Sequence, residues 1–233
     1  MTTPAIGRLP RRTIFNGISG CVLDLCADFG LIGTTTVRQW CDISGARNDV
    51  FQHLPSAQPT ITLADINGRA ALTFDGTDDT MLALPIPVAT NYTVFVVTNG
   101  SVGYPFSNSG NTTGHAYYFF SGSRLIVHAG VGNMTGSAVN ASTYDISGMR
   151  WNGTAGLLQV NGTAQTLSPT TMAYTAVTTA DARLSISGRW NATNQSNGAL
   201  YGGRIARIVM YNRALTDAEM LTVTTALRTY YGL

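Results

Sequence analysis

The sequence lacks lysine altogether and contains a single glutamate, Glu219. Charged residues make up only 11% of its 233 positions, whereas about 25% is typical of soluble domains. Lysine and glutamate are strong helix formers that usually occupy exposed helical faces, so their scarcity predicts one helix at most. The formal net charge of +2 is too small to form an electrostatic surface for nucleic acid, and we expect no nucleic-acid partner.

Cysteine is also scarce, and long apolar runs are missing. Cys21, Cys26 and Cys41 are odd in number and lack the spacing of zinc ligands, so we expect buried, inert thiols instead of a disulfide framework. No apolar run approaches the ~20 residues that cross a bilayer, and the N-terminus has no signal core, so we expect no membrane partner. These absences predict a protein kept in a reducing cytoplasm or exported as part of a larger particle.

Short apolar runs alternate with turn residues from position 21 onward. Asx-Gly pairs such as Asn67-Gly68 and Asn161-Gly162 tolerate the positive φ angles of hairpin turns. This pattern predicts an all-β fold, a two-sheet antiparallel jelly-roll sandwich. The segments 100–115 and 188–200 are rich in Ser, Asn, Gly and Thr, and we expect both to be rim loops. Predicted strands cover residues 21–25, 50–53, 60–63, 70–74, 81–84, 92–98, 115–120, 124–128, 143–150, 155–160, 182–187 and 203–211.

One short helix is predicted at the C-terminus. Thr216 and Glu219 have the spacing of a capping box, in which each side chain bonds the other residue's amide. Leu215 and Met220 flank the cap at the positions of a hydrophobic staple. Gly232 supplies the helix stop.

Residues 1–20 contain two prolines and three arginines without a regular period, which predicts an extended N-terminal arm ahead of one domain at 21–233. We expect this arm to dock against a partner or against the domain itself. Its apolar side chains would each contribute about 1.5–3 kcal/mol if fully buried. The residues predicted to anchor it are Ile6, Arg8, Leu9, Arg11, Arg12, Ile14 and Phe15.

The sequence does not contain the residues expected of a hydrolase. Glycoside hydrolysis needs two carboxylates at the scissile bond, and the single Glu219 is already assigned to the helix cap. His53, His115 and His128 are scattered, and no serine lies in a nucleophile-elbow motif. We therefore predict no catalytic residues and no enzymatic activity.

A cluster of acidic residues leaves a metal site open. Asp75, Asp78 and Asp79 lie in one turn, and residues 42–49 form a second oxygen-rich stretch. Calcium takes six to eight oxygen ligands from such loops. Alternatively, the aspartates cap turn amides, as Asp often does. Calcium is thus the one cofactor that the sequence suggests.

Aromatic side chains offer a surface for a sugar, because a ring face covers the apolar face of a pyranose. Core packing is the alternative for each of them. Trp190 follows Gly188-Arg189 in a polar segment and is the strongest candidate for exposure. We predict a carbohydrate-binding set of Trp190, Tyr104 and Trp151 from the available aromatics Tyr104, Phe106, Tyr117, Tyr118, Trp151, Tyr174 and Trp190.

Three segments together resemble concanavalin A-like lectin/glucanase (laminin-G-like) domains. Residues 40–49, WCDISGARND, are similar to an opening motif of the form W-x-D-x-S-G-x-x-N-D. Residues 67–79, NGRAALTFDGTDD, are similar to the hairpin N-G-x-x-A-L-x-F-D-G-x-D-D. Residues 203–219 resemble the closing strand and helix of these domains, which often end in Tyr-Gly, as at Tyr231-Gly232. The resemblance covers about residues 21–233 and implies the jelly-roll fold.

Domains with this pattern are frequent in surface proteins of bacterial viruses. The resemblance implies a non-enzymatic virion structural protein, a capsid decoration or a tail or fibre component, assembled in the host cytoplasm. Its partners would be other capsid or tail proteins and further copies of itself in a homo-oligomer. The alternative is a host-attachment lectin that binds surface glycans, and a glycoside hydrolase is the third hypothesis.

Overall fold

The computed structural model describes residue 15 and residues 17–88, 90–120, 123–138, 143–177, 182–191, 193 and 196–233. For residues 101, 118–120 and 137–138 the description covers the backbone alone. The predicted all-β sandwich with one C-terminal helix is confirmed. No helix in the described part of the chain is long and apolar enough to cross a membrane.

The described residues form eighteen strands and one α-helix, and most of the predicted strands lie within observed ones. In chain order they are β1 Cys21–Cys26, β2 Leu31–Gly33, β3 Val37–Trp40, β4 Val50–Phe51, β5 Thr60–Ile66, β6 Arg69–Asp75, β7 Met81–Ala83, β8 Tyr92–Ser109, β9 Gly114–Phe120, β10 Ser123–His128, β11 Gly132–Ala138, β12 Asp145–Trp151, β13 Gly156–Val160, β14 Thr163–Gln165, β15 Arg183–Ile186, β16 Arg189–Asn191, β17 Ser196–Gly198, β18 Gly202–Tyr211 and α1 Asp217–Tyr231.

The strands pair antiparallel in two layers. The first sheet follows the order β14-β13-β12-β8-β18, and the far edge of β18 pairs with β6 and β1, while β5 pairs with β6. The second sheet follows the order β11-β10-β9-β8-β15-β7-β4-β3-β2. Strands β16 and β17 form a separate hairpin.

Strand β8 belongs to both sheets. Its first half pairs with β12 and β18, and its second half pairs with β9 and β15. Gly103, at the crossing, has φ +87°, and a Cβ there would lie 2.0 Å from the carbonyl oxygen of Leu200. Only glycine fits so close an approach of two backbones without strain.

The prediction of a rim loop at 100–115 is wrong except for residues 110–113, because residues 100–109 continue β8 and Gly114 begins β9. The polar side chains of Ser107, Asn108 and Ser109 are fully buried and bonded. Asn108 accepts from the amide of Ile86 and donates to its carbonyl, and the hydroxyls of Ser107 and Ser109 share a hydrogen bond of 2.7 Å. A buried polar group is tolerated when its hydrogen bonds are made.

The main core lies between the two sheets. In β8, Val94 and Val96 face this core, whereas Phe95 and Val97 belong to a second apolar cluster on the other side of the first sheet. The period-two alternation of strands therefore gives the first sheet two apolar faces. The second sheet contributes Phe106, Tyr117 and Ile126, among others, to the main core.

Helix α1 covers the outer face of the first sheet. Met220, Val223, Leu227 and Tyr231 are buried there against Phe95 and its neighbours. The predicted capping box is confirmed, with Thr216 Oγ1 accepting from the amide of Glu219 and the Glu219 carboxylate accepting from the amide of Thr216. Gly232 ends the helix in the left-handed conformation.

Phe15 also belongs to the second apolar cluster. We call it the helix-side cluster, and its members include Phe95, Met220, Val223, Leu227 and Tyr231. The side chain of Phe15 is 3% exposed, and the guanidinium carbon of Arg207 lies 5.0 Å from its ring centre. Arg207 is itself buried and donates two hydrogen bonds, of 2.7 and 2.6 Å, to the carboxylate of Asp24. Phe15 therefore packs on this chain's own domain, which is one of the two docking modes expected for the arm, and an anchor against a partner stays a prediction. The other six predicted anchor residues lie outside the described residues.

The three cysteines are free thiols. Cys26 is buried, and Cys21 and Cys41 are partly buried. Burial raises the pKa of Cys21 to about 12, and the carboxylates of Asp24 and Asp42 add to this shift. Burial likewise raises the pKa of Cys26 and Cys41, so all three thiols stay protonated at neutral pH.

Candidate functional site

The outer face of the second sheet carries a small apolar cluster at its β8–β10 end. Register places Tyr117 and Ile126 opposite each other, and both face the main core. The neighbouring residues on each strand must then point outward. Ala116, Leu125 and Val127 do so, and with Tyr104 they form a buried cluster of their own.

The β16–β17 hairpin is attached to this face. The amide of Gly188 donates to the carbonyl of Tyr104 at 2.8 Å, and the amide of Tyr104 donates to the carbonyl of Ala199 at 3.0 Å. Tyr104 thus holds both ends of the hairpin, in which Trp190 pairs with Asn197. The prediction of a rim loop at 188–200 is therefore corrected, because short paired strands occupy part of this segment.

Two adjoining cavities open between the hairpin and the sheet. They have volumes of about 420 and 400 Å³ and share Tyr104 and Arg189 in their walls. Volumes of about 300–1,000 Å³ are usual for small-molecule sites. We call this pair the hairpin groove. Its first cavity is lined by Tyr104, Asn111, Arg189, Trp190, Asn191, Gly198 and Ala199, and its second by Tyr104, Leu125, Val127, His128, Gly130, Val131, Gly132, Asn133 and Arg189.

The groove unites two of the three aromatic residues predicted to bind a sugar. Trp190 and Tyr104 are 86 positions apart in sequence and line the same cavity. Trp151 is elsewhere: it is fully buried in the main core, with its ring edge-on to His128 at a centroid distance of 4.6 Å. Since its ring cannot reach a ligand, the prediction for Trp151 is wrong.

Two arginines beside Trp190 were not predicted as site residues. Arg189 donates from Nη2 to the carbonyls of Gly110 and Asn111 at 2.9 and 3.0 Å, and its buried Nε has no partner in the described part of the chain. The guanidinium carbon of Arg183 lies over the ring of Trp190, 5.3 Å from its centre. The feature of the sequence that could have indicated Arg189 is its position next to Trp190 in a polar segment.

Amide side chains line the rim of the first cavity. Asn111 donates from Nδ2 to the hydroxyl of Thr193 at 2.9 Å, and the amide of Thr193 donates to Oδ1 of Asn191 at 2.9 Å. These bonds fix the positions of two amides whose donors and acceptors suit the hydroxyl groups of a saccharide.

Two of the three histidines, which looked scattered in the sequence, meet beneath the groove. His128 Nδ1 lies 2.8 Å from the carbonyl oxygen of Ala173, so this nitrogen carries the proton. Nε2 then accepts from the hydroxyl of Tyr92 at 2.9 Å. The ring of His115 stacks on Tyr92 with centroids 3.7 Å apart, and its Nε2 is buried without a partner in the described chain.

Burial lowers the pKa of His115 well below its usual range, and the nearby His128 adds to this shift. Burial also lowers the pKa of His128, partly offset by its bond to Ala173. Both rings are therefore neutral at pH 7. The hydroxyl that contacts His128, that of Tyr92, is buried in the main core, so the contacts of His128 are those of an internal polar network.

Asp75, Asp78 and Asp79 do lie together in the turn after β6, with one carboxylate oxygen of each within 4.8 Å of the others. Oδ1 of Asp75 accepts from the amides of Thr77, Asp78 and Asp79, and these bonds lower the pKa of Asp75. Burial raises the pKa of Asp79 to about 6. This geometry matches the turn-capping alternative, and calcium binding stays a prediction.

Comparisons with known proteins identify the architecture. No protein-family model matches the chain, and no curated protein sequence matches it significantly. Among solved structures, domain 4 of AbnA, an extracellular GH43 arabinanase from Geobacillus stearothermophilus solved with arabinotriose, superposes with a TM-score of 0.58 at 13% identity. That match covers 88% of this chain and 97% of the other.

Two toxin domains are similar as well. The binding domain of botulinum neurotoxin DC, solved with SialylT, gives a TM-score of 0.59 at 10% identity over 92% of this chain. The binding domain of Paraclostridial mosquitocidal protein 1 gives 0.58 at 11% identity over 87%. This chain spans about half the length of each toxin domain, 52% in both cases. The shared feature is the fold, a β-sandwich.

Proposed function

We propose that this protein is a carbohydrate-binding domain and that the hairpin groove is its binding site. The observation that carries the proposal is the meeting of Trp190 and Tyr104 in one cavity, next to the amides of Asn111 and Asn191. An aromatic ring flanked by fixed amides provides both kinds of contact that a sugar ring offers, apolar C–H faces and hydroxyl groups.

The structural neighbours support this proposal. Domain 4 of AbnA was solved with arabinotriose, and the neurotoxin DC domain with SialylT. Both share the sandwich architecture of this chain. A fold hosts many functions, so it is the groove itself that favours sugar binding by this chain.

The composition of the groove supports binding without hydrolysis. Neither cavity has an Asp or Glu among its described lining residues, whereas glycoside hydrolysis normally requires two carboxylates beside the scissile bond. Glu219 is on the helix side, where its carboxylate accepts from Arg213 and from the amide of Thr216. A glycoside hydrolase is thus the weaker hypothesis.

A glycan array probed with the full chain and with Trp190→Ala tests the proposal. We expect saturable binding to a subset of saccharides and its loss, by a factor of about ten or more, in the variant. Leu63→Ala is the matched control, because Leu63 is 77% exposed and lies outside the groove. A silent array, or binding that Trp190→Ala leaves unchanged, would show that the groove is not the site.

We also propose that the segment before Phe15 tethers this domain to a larger particle, such as the capsid or tail of a bacterial virus. Phe15 packs in the helix-side cluster, on the outer face of the first sheet, while the groove lies on the outer face of the second. A tether leaving from the helix side would direct the groove away from the particle. Deleting residues 1–14 should abolish incorporation, and normal occupancy of the truncated protein would overturn the tether.

A further inference from the structure

We propose that the hairpin groove selects saccharides that carry a carboxylate group, such as uronic or sialic acid residues, and that Arg189 binds the carboxylate. This inference rests on the proposed function and narrows its ligand class. The observations behind it are the pairing of the arginines, the geometry of Arg189 and the charge of the groove.

Most partly buried arginines of the described chain have an acidic partner. Six form ion pairs, with Asp28, Asp145, Asp217, Asp65, Asp24 and Glu219. Five form none among the described residues, and three of these, Arg38, Arg47 and Arg228, are exposed to water. The remaining two are Arg183 and Arg189, both partly buried and both beside Trp190.

A partly buried cation without a counter-charge is costly, because burial removes part of its hydration. At the other partly buried arginines of the described chain, a carboxylate partner offsets this cost. At Arg183 and Arg189, beside the groove, no described carboxylate offsets this cost. An anionic ligand would restore the pairing that this protein uses elsewhere.

Arg189 is also held in a fixed orientation. Two hydrogen bonds from Nη2 to the carbonyls of Gly110 and Asn111 fix its guanidinium plane. Its Nη1 makes none of the hydrogen bonds described for the residue, and Nε is buried without a partner. Nη1 can therefore donate a charge-assisted hydrogen bond to one carboxylate oxygen, and an orientation fixed in advance lowers the entropic cost of binding.

Among the described residues, the walls of the two cavities around Arg189 carry no opposing charge. Neither cavity has a described carboxylate in its lining, and Arg183 adds a second positive charge over the ring of Trp190. A site lined by one sign of charge attracts ligands of the other sign. The aromatic rings would then contact the sugar ring, while Arg189 binds its carboxylate group.

Calorimetric titration with matched ligand pairs tests this inference. The pairs are sialyllactose against its methyl ester, and trigalacturonic acid against its methyl ester. We expect the acidic member of at least one pair to bind about tenfold tighter or more, since a charge-assisted hydrogen bond is the stronger kind. At about 1 M NaCl, where the Debye length is about 3 Å, the preference should shrink.

Variants separate recognition from a structural role of Arg189. Arg189→Gln should lower the ratio of acidic to neutral affinity to about one, and Arg189→Lys should restore part of the preference. Arg38→Gln, at an exposed position, is the matched control and should behave as the wild type. A misfolded Arg189 variant would bind neither member of a pair. In that case, the salt dependence of the wild-type preference decides whether the charge of the carboxylate is recognised.

The outcomes distinguish the two proposals. Equal binding of neutral and acidic saccharides, or a preference that survives Arg189→Gln, overturns the role of Arg189 and leaves carbohydrate binding in place. Failure of every saccharide, neutral and acidic, overturns both.

Discussion

The two outer faces of the sandwich differ in how they are covered. On the first sheet, helix α1 and Phe15 close an apolar cluster of fourteen buried residues, and the buried Arg207 beneath Phe15 is paired with Asp24. On the second sheet, a hairpin of two three-residue strands leaves two cavities open, and Arg189 in their common wall has no acidic partner in the described chain.

The difference separates stability from recognition. A closed apolar face with paired charges lowers the free energy of the folded state and presents little to a ligand. An open face with aromatic rings, fixed amides and an unpaired cation forgoes some stability and keeps contacts available. Substitutions on the helix side should therefore reduce stability, and substitutions in the groove should reduce binding.

The largest effect is expected at the buried ion pair. Arg207→Gln leaves the carboxylate of Asp24 buried without its partner, and we expect a loss of about 3–5 kcal/mol in the free energy of unfolding. Arg189→Gln removes an arginine that has no acidic partner and should cost less than about 1 kcal/mol. Urea denaturation of both variants measures the two losses in the free energy of unfolding. Equal losses would contradict the assignment of stability to the helix side and of binding to the groove.

The next effect concerns apolar packing. Leu227→Ala opens a cavity beneath the helix, where Leu227 is fully buried, and should cost about 2–5 kcal/mol. Trp190→Ala truncates a larger but partly exposed side chain and should cost about 1 kcal/mol or less. Thermal unfolding would contradict this account if the tryptophan variant proved the less stable of the two.

A smaller effect should appear on acidification, beneath the groove. The unfolded chain takes up protons on His115 and His128 as the pH falls through 6.5, while burial keeps both folded-state pKa values below 6.5. The stability due to these histidines is therefore complete above pH 6.5 and declines below it. We expect His128→Gln to flatten the decline and His53→Gln, at an exposed position, to leave it unchanged.

The smallest effect is expected at the helix cap. Thr216→Ala removes the hydroxyl that accepts from the amide of Glu219, and we expect a loss of about 1 kcal/mol in the free energy of unfolding. Thr216→Ser retains the hydroxyl and serves as its control. A loss equal to that of Leu227→Ala would mean that Thr216 contributes more to stability than its hydrogen bond in the first turn of the helix.

Local patterns were sufficient to predict much of the fold. The capping box at Thr216 and the alternating strands such as Tyr92–Thr98 depend on near neighbours in sequence, and the structure contains both. The sequence pattern did not predict that β8 extends through Ser107 to Ser109, because the contacts that bury these serines cannot be inferred from the sequence. Asn108 is satisfied by Ile86, which lies 22 positions away.

The site was predictable only in part for the same reason. Trp190 was selected from its polar neighbours, a local signal, and it does line the groove. Trp151 has equally polar neighbours, Asn152 and Gly153, yet it is fully buried, because β12 places it between the sheets against His128. The meeting of Tyr104 with Arg189 depends on the path of β8, which only the three-dimensional structure supplies.

The most direct test of the groove uses the indole N–H signals of the three tryptophans in a nitrogen–proton correlation spectrum. Trp40 and Trp151 are fully buried in the core, and Trp190 lines the groove. On titration with the saccharide selected on the array, we predict that one indole signal shifts saturably and that this signal is missing in Trp190→Phe. No saturable shift of the Trp190 signal, or equal shifts of the two buried tryptophans, would contradict binding in the hairpin groove.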